Sequence, residues 1–279
     1  MNESSFDLLL ELAIREDLSD LGDVTSRAIF TEETCRAGLY SKDTGVLAGA
    51  EYYTRVFRRL DPDTGVTFNF RDGDSLSPGD LVAEVEGKTI SVLTAERIAL
   101  NFLGYLCGIA TITRRFSVLR QGGTRVLDTR KTLPGYRELA KYAVTVGGGT
   151  NHRMGLYDMV MIKDNHIDAA GSIRQAVERV REHWGARFKV EVECRNEKEV
   201  REAVQAGADI IMLDNMSPEI AARCCKIEHG GAAYEASGDM TLEKIGKYMR
   251  IGLDYISVGK LTHSVRNFDF SLKIHGEAL

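Results

Sequence analysis

Apolar and polar positions follow different periods in the two halves of the chain. Residues 6–16 carry apolar side chains at helical spacing, which predicts a helix followed by a turn-rich loop. Between about residues 36 and 88 the pattern changes to short β-like runs separated by Asp-Gly and Pro-Gly turns, with a helix expected at residues 51–60. This part predicts a small α+β domain built on an antiparallel sheet. Its β-like runs are residues 38–41, 45–49, 66–70 and 81–85.

Residues 91–121 have a strongly helical pattern. Gly104 and Gly108 are four positions apart within it, and their lack of a side chain would allow another helix to approach closely. Arg97 lies near the start of the pattern, where a lone arginine is more often exposed than functional.

From residue 124 onward, strand and helix patterns alternate. Alternation at this spacing predicts a parallel sheet with right-handed crossovers, and closing such a sheet gives a barrel. The strand candidates are residues 125–128, 159–162, 188–193, 208–213, 232–236 and 255–258, and the helical patterns are residues 172–184, 197–206, 218–228 and 242–251.

The two patterns together predict an α/β fold in two domains. An N-terminal α+β sandwich-like domain is expected at residues 1–105, and a C-terminal parallel α/β barrel of six to seven strands at residues 106–266. Residues 267–279 are expected to pack back on the first domain.

Composition narrows the function. The 279 residues are 43% hydrophobic and 28% charged, enough for a globular fold with a proper core, and the net charge of -5 argues against nucleic-acid binding. We find no apolar run approaching the ~20 residues that a membrane span needs, and no signal sequence at the start, so a cytoplasmic location is expected. The five cysteines are odd in number and form no C-x-x-C pair, which argues against a disulfide framework and a zinc knuckle.

One loop-rich segment, residues 125–166, is rich in basic residues, although the whole chain has a net negative charge. Such a cluster attracts anions when it lines a cleft, although most clusters of lysine and arginine are solvated faces. Its position favours a site, because the cations directly follow strand candidates, where α/β folds keep their chemistry. The basic residues are Arg130, Lys131, Lys141, His152, Arg153, Lys163 and His166.

The polar residues at the strand exits are predicted to meet at one mouth of the barrel. Four cations among them suit a ligand with several carboxylate or phosphate groups, because arginine binds such oxygens through two N–H groups and lysine acts as a point charge. The exits read Thr129-Arg130-Lys131, Lys163-Asp164-Asn165-His166, Glu193, Asp214-Asn215, Ser237-Gly238 and Gly259-Lys260, and Arg153 lies in the same basic segment.

Two carboxylates, Glu193 and Asp214, would be out of place in a purely anion-binding pocket. They fit a Mg²⁺ ion that bridges them to a phosphate, since Mg²⁺ takes one or two protein carboxylates plus substrate oxygens. Ordinary ion pairing with the neighbouring cations is the alternative.

Glycines and histidines add weaker signals. Gly238 and Gly259 follow strands and would let backbone N–H groups approach a phosphate, whereas the triple glycine at residues 147–149 matches no phosphate-binding fingerprint. His152 and His263 could be structural, but the neighbouring arginine favours a site role for His152. Lys163 is the nearest candidate for a Schiff base, so an aldolase-like lysine is a fallback.

Several long motifs are distinctive of one family. The longest is DTRKTLPGYRELAKYAVTVGGGTNHRMGLYDMVMIKDNHI, and the others are ERIALNFLGYLCGIATIT, VEVE, AGADIIMLDNM, YEASG and LDYISVGKLTHS. Near the start, EDLSDLGDVTSRAIF and GVLAGA belong to the same set. With these motifs the chain resembles the quinolinate phosphoribosyltransferase family nearly end to end.

The resemblance implies condensation of quinolinate with phosphoribosyl pyrophosphate to nicotinate mononucleotide, pyrophosphate and CO₂ in de novo NAD synthesis. It also implies Mg²⁺ and a homodimer, with a hexamer as the alternative assembly, in which Arg97 reaches the partner's site. Lys131, Glu193 and Asp214 are expected to be catalytic, and the last two would face the metal and the ribose. Arg130, His152, Arg153 and Lys163 would hold the quinolinate carboxylates with Thr129 and Lys131 close by, and Ser237, Gly238, Gly259 and His263 would surround the phosphates.

The chain departs from the family pattern at residue 239. Two glycines commonly follow the serine, whereas here Ser237 and Gly238 are followed by Asp239. A carboxylate beside a phosphate is unfavourable, so we expect this side chain to point away from the phosphate or to contact the metal.

The sequence is compatible with two alternative functions. A molybdenum-transport-associated homologue shares the fold and much of the glycine-rich region, but Asn151 and the Lys163-Asp164-Asn165-His166 run favour the quinolinate enzyme. The chain could also be a nucleotide- or anion-binding regulator on an enzyme scaffold, because fold alone does not fix function.

Overall fold

The computed structural model describes residues 5–120 and 122–275. Its helices are α1 Ser5–Leu18, α2 Val24–Ile29, α3 Ala50–Leu60, α4 Thr89–Ser117, α5 Arg137–Val146, α6 Asp164–Ala170, α7 Ile173–Trp184, α8 Glu197–Gln205, α9 Pro218–Cys224, α10 Leu242–Tyr248 and α11 Lys260–His263. Its strands are β1 Thr34–Ser41, β2 Gly45–Val46, β3 Gly65–Phe68, β4 Ser75–Leu76, β5 Leu81–Lys88, β6 Arg125–Leu127, β7 Val160–Ile162, β8 Val190–Cys194, β9 Ile210–Asp214, β10 Ala233–Ser237, β11 Tyr255–Ser257 and β12 Phe270–Ile274.

The chain divides into two compact units. The first comprises Met1–Arg114, Leu133–Gly148 and Val265–Leu279, and the second comprises Arg115–Thr132 and Gly149–Ser264. The division falls inside α4 and gives α5 to the first unit, whereas the sequence placed the boundary at residue 105. A continuous helix contains no turn or linker composition that could mark a boundary within it.

The first unit is built on an antiparallel sheet of order β12-β1-β5-β3, with Leu39 opposite Leu272 on one side and Ala83 on the other. A β-carbon on Gly104 would lie 2.8 Å from the Phe268 carbonyl oxygen, and the Phe268 N–H donates to the Gly104 carbonyl at 2.9 Å. The glycines of α4 therefore admit the extended chain before β12, and the expectation that they admit another helix was wrong.

Helix α4 is long and apolar enough, by length and composition, to cross a membrane, which the sequence analysis did not find. Within its most apolar window, 67% is buried inside the protein. A buried core helix passes the same test, so the finding is weak support for a membrane span.

Two helices of the first unit were not predicted. The Asp23 carboxylate accepts hydrogen bonds from the N–H groups of Thr25 and Ser26, and this N-cap starts α2 inside the expected loop. Helix α5 lies within the segment that was described as loop-rich, and it buries Leu139 and Ala143. Basic residues alternate with the apolar ones around α5, so its helical spacing was not recognised in the sequence.

The second unit contains a six-stranded parallel sheet of order β6-β11-β10-β9-β8-β7, so the predicted α/β class is confirmed. Thr150 forms a parallel bridge with Leu127 and extends the sheet beyond β6. The register of the strands shows which residues lie side by side on neighbouring strands. Met212 lies opposite Glu193 and Glu235, and Asp214 lies opposite Ser237. Residues two apart along one strand face the same side, so these polar side chains share the barrel interior.

Candidate active site

A cavity of about 340 Å³ opens among the carboxyl ends of the barrel strands. Of the predicted site residues, all within the described part of the chain, only Arg97, Gly238, Gly259 and His263 are not part of its lining. The predicted convergence of the strand exits is therefore observed within the second unit. The cavity is lined by Thr129, Arg130, Lys131, His152, Arg153, Met161, Lys163, Glu193, Met212, Asp214, Ser237 and Ser257.

Cations form one side of this cavity, which we call the cation wall: Arg130, Lys131, Arg153 and Lys163. The Arg153 guanidinium donates to the Met159 carbonyl at 3.1 Å. Burial, and then the like charge of Arg130, lower the pKa of Arg153, although a guanidinium stays charged at neutral pH. Two neighbouring arginines of like charge favour an anion between them.

Two carboxylates face the same cavity from neighbouring strands. Glu193, near the end of β8, lies 3.0 Å from the Lys163 ammonium, and Asp214, at the end of β9, accepts a hydrogen bond from the Asn215 amide at 2.9 Å. These hard oxygen donors at the mouth of a polar cavity fit Mg²⁺, which prefers carboxylates together with substrate oxygens. The ion pair with Lys163 shows that the ordinary-pairing alternative also holds for Glu193.

Two glycines beside the cavity have steric reasons to be glycine. Gly238 has a φ of +119°, and a β-carbon there would lie 2.3 Å from the Asn215 side-chain oxygen. A β-carbon on Gly259 would lie 3.0 Å from the His263 ring and 3.5 Å from Lys131 Cδ. Gly259 and His263 therefore lie beside Lys131, a lining residue, and Gly238 follows Ser237, another lining residue.

Two buried glutamates below the cation wall were missed by the sequence analysis. Glu191 and Glu235 are fully buried, and the His152 Nε2 atom lies 3.1 Å from the Glu191 carboxylate and 3.6 Å from that of Glu235. We call these three residues the buried triad. A period of two would have revealed the glutamates, since Glu191 precedes Glu193, and Glu235 precedes Ser237, by two positions on inward-facing strands.

His152 has both ring nitrogens engaged within the protein. Its Nδ1 accepts a hydrogen bond from the Arg153 backbone N–H at 2.7 Å, and its Nε2 faces the glutamates. Since Nδ1 accepts, the proton of the neutral imidazole is on Nε2. A direct bond from His152 to a substrate carboxylate, as the resemblance implied, would require release of one of these contacts.

Comparison with known proteins agrees with the geometry. The family model of the quinolinate phosphoribosyl transferase C-terminal domain matches residues 109–273, and that of the N-terminal domain matches residues 23–107. The chain belongs to the quinolinate phosphoribosyltransferase family.

Individual members of that family are similar over nearly the whole chain. The probable nicotinate-nucleotide pyrophosphorylase (carboxylating) of Bacillus subtilis is 42% identical over 275 residues, covering 98% of this chain and 95% of the relative. Quinolinate phosphoribosyltransferase (decarboxylating) 1b of Nicotiana tabacum is 40% identical, covering 96% and 82%. The crystal structure of NadC from Streptococcus pyogenes superposes with a TM-score of 0.93 at 40% identity, covering 99% of both chains.

The departure from the family pattern at Asp239 is accommodated by two lysines. Its carboxylate lies 2.8 Å from the Lys260 ammonium and 3.3 Å from that of Lys244. Hydrogen bonds from Lys260 and then Lys244 lower the pKa of Asp239. The backbone has a φ of +31°, a left-handed conformation that favours glycine. Asp239 is thus paired with lysines beside the expected phosphate side of the cavity.

Asp239→Gly is expected to lower the KM for phosphoribosyl pyrophosphate about two- to fivefold while leaving the KM for quinolinate unchanged. The change removes a negative charge near the expected phosphates and releases two lysines. Initial rates at low and at high salt measure it, and the difference should shrink at high salt. Asp239→Asn separates charge from backbone conformation, and an unchanged KM in both variants would contradict the expectation.

Burial, and then the neighbouring Glu191, raise the pKa of Glu235 to about 8. A folded-state pKa above the unfolded value means that the folded protein retains a proton the unfolded chain releases. This contribution is fully present below the unfolded value of about 4.3 and is lost as pH rises toward 8.

Glu235→Gln is therefore expected to gain stability relative to the wild type as pH rises from about 5 to about 9. The gain should be about 1–3 kcal/mol, less than the full shift implies because Glu191 can hold the shared proton. Urea unfolding at each pH measures this difference, with Glu182→Gln, an exposed position on α7, as the control. Parallel stability curves for wild type and Glu235→Gln would contradict the assignment.

Proposed function

We propose that this protein condenses quinolinate with phosphoribosyl pyrophosphate to give nicotinate mononucleotide, pyrophosphate and CO₂, in de novo NAD synthesis. The observation that carries the proposal is that one cavity is lined both by the cation wall and by the carboxylates of Glu193 and Asp214. A dicarboxylate and a polyphosphate both require cations, whereas a pyrophosphate leaving group with a divalent ion requires carboxylates.

Quinolinate is proposed to bind against the cation wall. Arg130 and Arg153 can each donate two parallel N–H groups to a carboxylate, and Lys163 supplies a point charge. Met161 and Met212 provide apolar lining in the same cavity, suited to the face of a pyridine ring. This arrangement would fix the ring so that its nitrogen faces the ribose carbon, which lowers the entropic barrier to bond formation.

The ribose and pyrophosphate are proposed to lie on the carboxylate side. As the pyrophosphate leaves, positive charge develops on the ribose, and the carboxylates of Glu193 and Asp214 can stabilise it electrostatically. We propose these two residues as the holders of Mg²⁺, which when bound would neutralise the charge of the leaving pyrophosphate. Ser237, Gly238, Gly259 and His263 would surround the phosphates, and Lys131, which lies beside Gly259, would be close to both substrates.

Decarboxylation then follows from the chemistry of the alkylated ring. Once the pyridine nitrogen is bonded to the ribose carbon, its positive charge stabilises the electron pair left on the adjacent ring carbon as the carboxylate leaves as CO₂. That carbon then takes up a proton from water, which gives nicotinate mononucleotide. The protein has to position the substrate rather than supply a strong base, which agrees with a cavity rich in fixed cations.

We also propose a homodimer, with a hexamer of such dimers as the alternative assembly, in a cytoplasmic location. Arg97 is exposed on α4 of the first unit, and it would complete the site of the partner subunit. Mixing inactive Arg97→Ala and Lys163→Ala proteins after subunit exchange is then expected to restore about a quarter of the wild-type activity, because one site in a mixed dimer has both residues. No recovery from a mixture shown to contain mixed dimers would contradict a shared site.

A direct assay separates the proposed function from its alternatives. Purified protein with quinolinate, phosphoribosyl pyrophosphate and Mg²⁺ is expected to form nicotinate mononucleotide, followed by absorbance and confirmed by chromatography. An anion-binding regulator would bind the substrates without product at high protein concentration, and the molybdenum-associated homologue would give no product with quinolinate. Either result would overturn the proposal.

A further inference from the structure

The buried triad of His152, Glu191 and Glu235 has no part in the mechanism above. The side chain of His152 is 6% exposed and those of the glutamates are 0% exposed. Within residues 5–120 and 122–275, the four carboxyl oxygens have no hydrogen-bond partner of good geometry. Burying such groups is unfavourable, so their position below the cation wall requires an explanation.

A metal ion is the first explanation to consider, because the ligand atoms of the three residues lie within 4.8 Å of one another. The hydrogen bond from the Arg153 N–H to His152 Nδ1 argues against it. A neutral imidazole has one nitrogen lone pair in the ring plane, and this bond already uses it. A metal on Nε2 would require either loss of that bond or an imidazolate.

Protons explain the cluster better. The Nε2–H of a neutral His152 is one donor facing two carboxyl groups, at 3.1 Å and 3.6 Å, and the Ser257 hydroxyl is a second neutral donor near Glu235. Two neutral donors cannot compensate two buried negative charges, so at least one of the glutamates carries a proton. The triad is then a set of polar groups in which His152 Nε2 lies nearest to Glu191.

The position of His152 is fixed from three directions. Its backbone N–H donates to the buried Asp128 carboxylate at 2.8 Å, and the preceding Thr150 N–H donates to the Val126 carbonyl at 2.8 Å. On its ring, Nε2 lies 3.1 Å from the Glu191 carboxylate and Nδ1 accepts a hydrogen bond from the Arg153 N–H. A rotation of the imidazole would break the last bond and release the peptide that carries Arg153.

We propose that Glu191 and Glu235 are positioning residues for quinolinate binding, acting through the imidazole of His152 on the backbone of Arg153. Arg153 lies near the like charge of Arg130, so this arginine needs a fixed frame to hold its charge at the cavity. The inference rests on the proposed function, and it extends the site to two residues that do not line the cavity.

The test compares Glu191→Leu, which keeps the volume and removes the carboxyl group nearest to His152 Nε2, with Glu191→Gln, which keeps a neutral acceptor. We expect Glu191→Leu to raise the quinolinate KM, measured at saturating phosphoribosyl pyrophosphate, about tenfold or more. The KM for phosphoribosyl pyrophosphate should stay within about twofold, and Glu191→Gln should stay within about threefold of wild type for both substrates. Glu191→Met serves as a second apolar variant if Glu191→Leu does not fold.

A control and a spectroscopic measurement separate positioning from general damage. Ile211→Ala creates a cavity at a buried position of β9 that faces away from the barrel interior, so it should lower the melting temperature without raising the quinolinate KM. In ¹⁵N NMR of the histidines, wild type and Glu191→Gln should show His152 as the Nε2–H tautomer, and Glu191→Leu should lose that signature.

Several outcomes would overturn the inference. They are equal changes in both KM values, an unchanged quinolinate KM in the apolar variants, a Glu191→Gln protein as impaired as Glu191→Leu, or a wild-type His152 protonated on Nδ1. Failure of the proposed function would be distinct, because the wild-type protein itself would then form no nicotinate mononucleotide.

Discussion

Lys163→Ala is expected to lower kcat/KM by about 1,000-fold or more while leaving the fold intact. Lys163 follows β7 at the cavity mouth, and its ammonium lies 3.0 Å from Glu193, so it is placed between the proposed dicarboxylate and the acidic side. Removing it deletes a substrate cation and leaves a carboxylate without its partner. Steady-state kinetics with both substrates measure the loss, and circular dichroism with thermal melting tests the fold.

A matched control for this prediction lies at the opposite end of the barrel. Lys189 immediately precedes β8 at its amino end and is exposed, so Lys189→Ala should retain wild-type kinetics. Arg130→Ala, within the cation wall, should resemble Lys163→Ala. Near-normal turnover by a folded Lys163→Ala protein would contradict the proposed reaction geometry.

Asp214→Asn is expected to lower kcat by about 100-fold or more and to raise the Mg²⁺ concentration needed for half-maximal rate. The substitution keeps the shape and removes the negative charge that would face both the developing ribose cation and the divalent ion. Quinolinate binding by itself, measured by calorimetry, should change little, because the cation wall remains in place.

The decisive part of the Asp214→Asn prediction is that kcat falls while quinolinate binding changes little. Asp214 pairs in register with Ser237 on β10, so a loss confined to the phosphate and ribose side agrees with its position in the sheet. Glu182→Gln, an exposed acid on α7, controls for loss of negative charge in general. An Asp214→Asn protein with normal kcat and normal Mg²⁺ dependence would remove the residue from the proposed machinery.

Much of the site could be predicted before any coordinates, because a parallel barrel brings all strand exits to one end. That rule was enough to collect Arg130, Lys163, Glu193 and Asp214, which lie far apart along the chain and line one cavity. To apply this rule, each strand has to be located only to within a few residues.

The buried triad could not be predicted by this rule. Glu191 and Glu235 lie two residues before the strand exits, inside their strands, so a rule that selects only the exits does not include them. The hydrogen bond to His152 Nδ1, which assigns the proton and argues against a metal, depends on a distance that no pattern contains. The pairing of Asp239 with Lys260 is also a spatial fact, since a carboxylate near a phosphate could only be expected to turn away.

The sequence by itself determined the alternation of strands and helices, the basic segment and the acidic residues at the strand exits. Periodicity and charge are local properties of the chain, so they can be read without coordinates. The tertiary structure alone decided which side chains pair, which are buried, which unit α5 belongs to and which nitrogen of His152 carries the proton. These depend on distances between residues remote in sequence, which are set only when the packing of the whole unit is fixed.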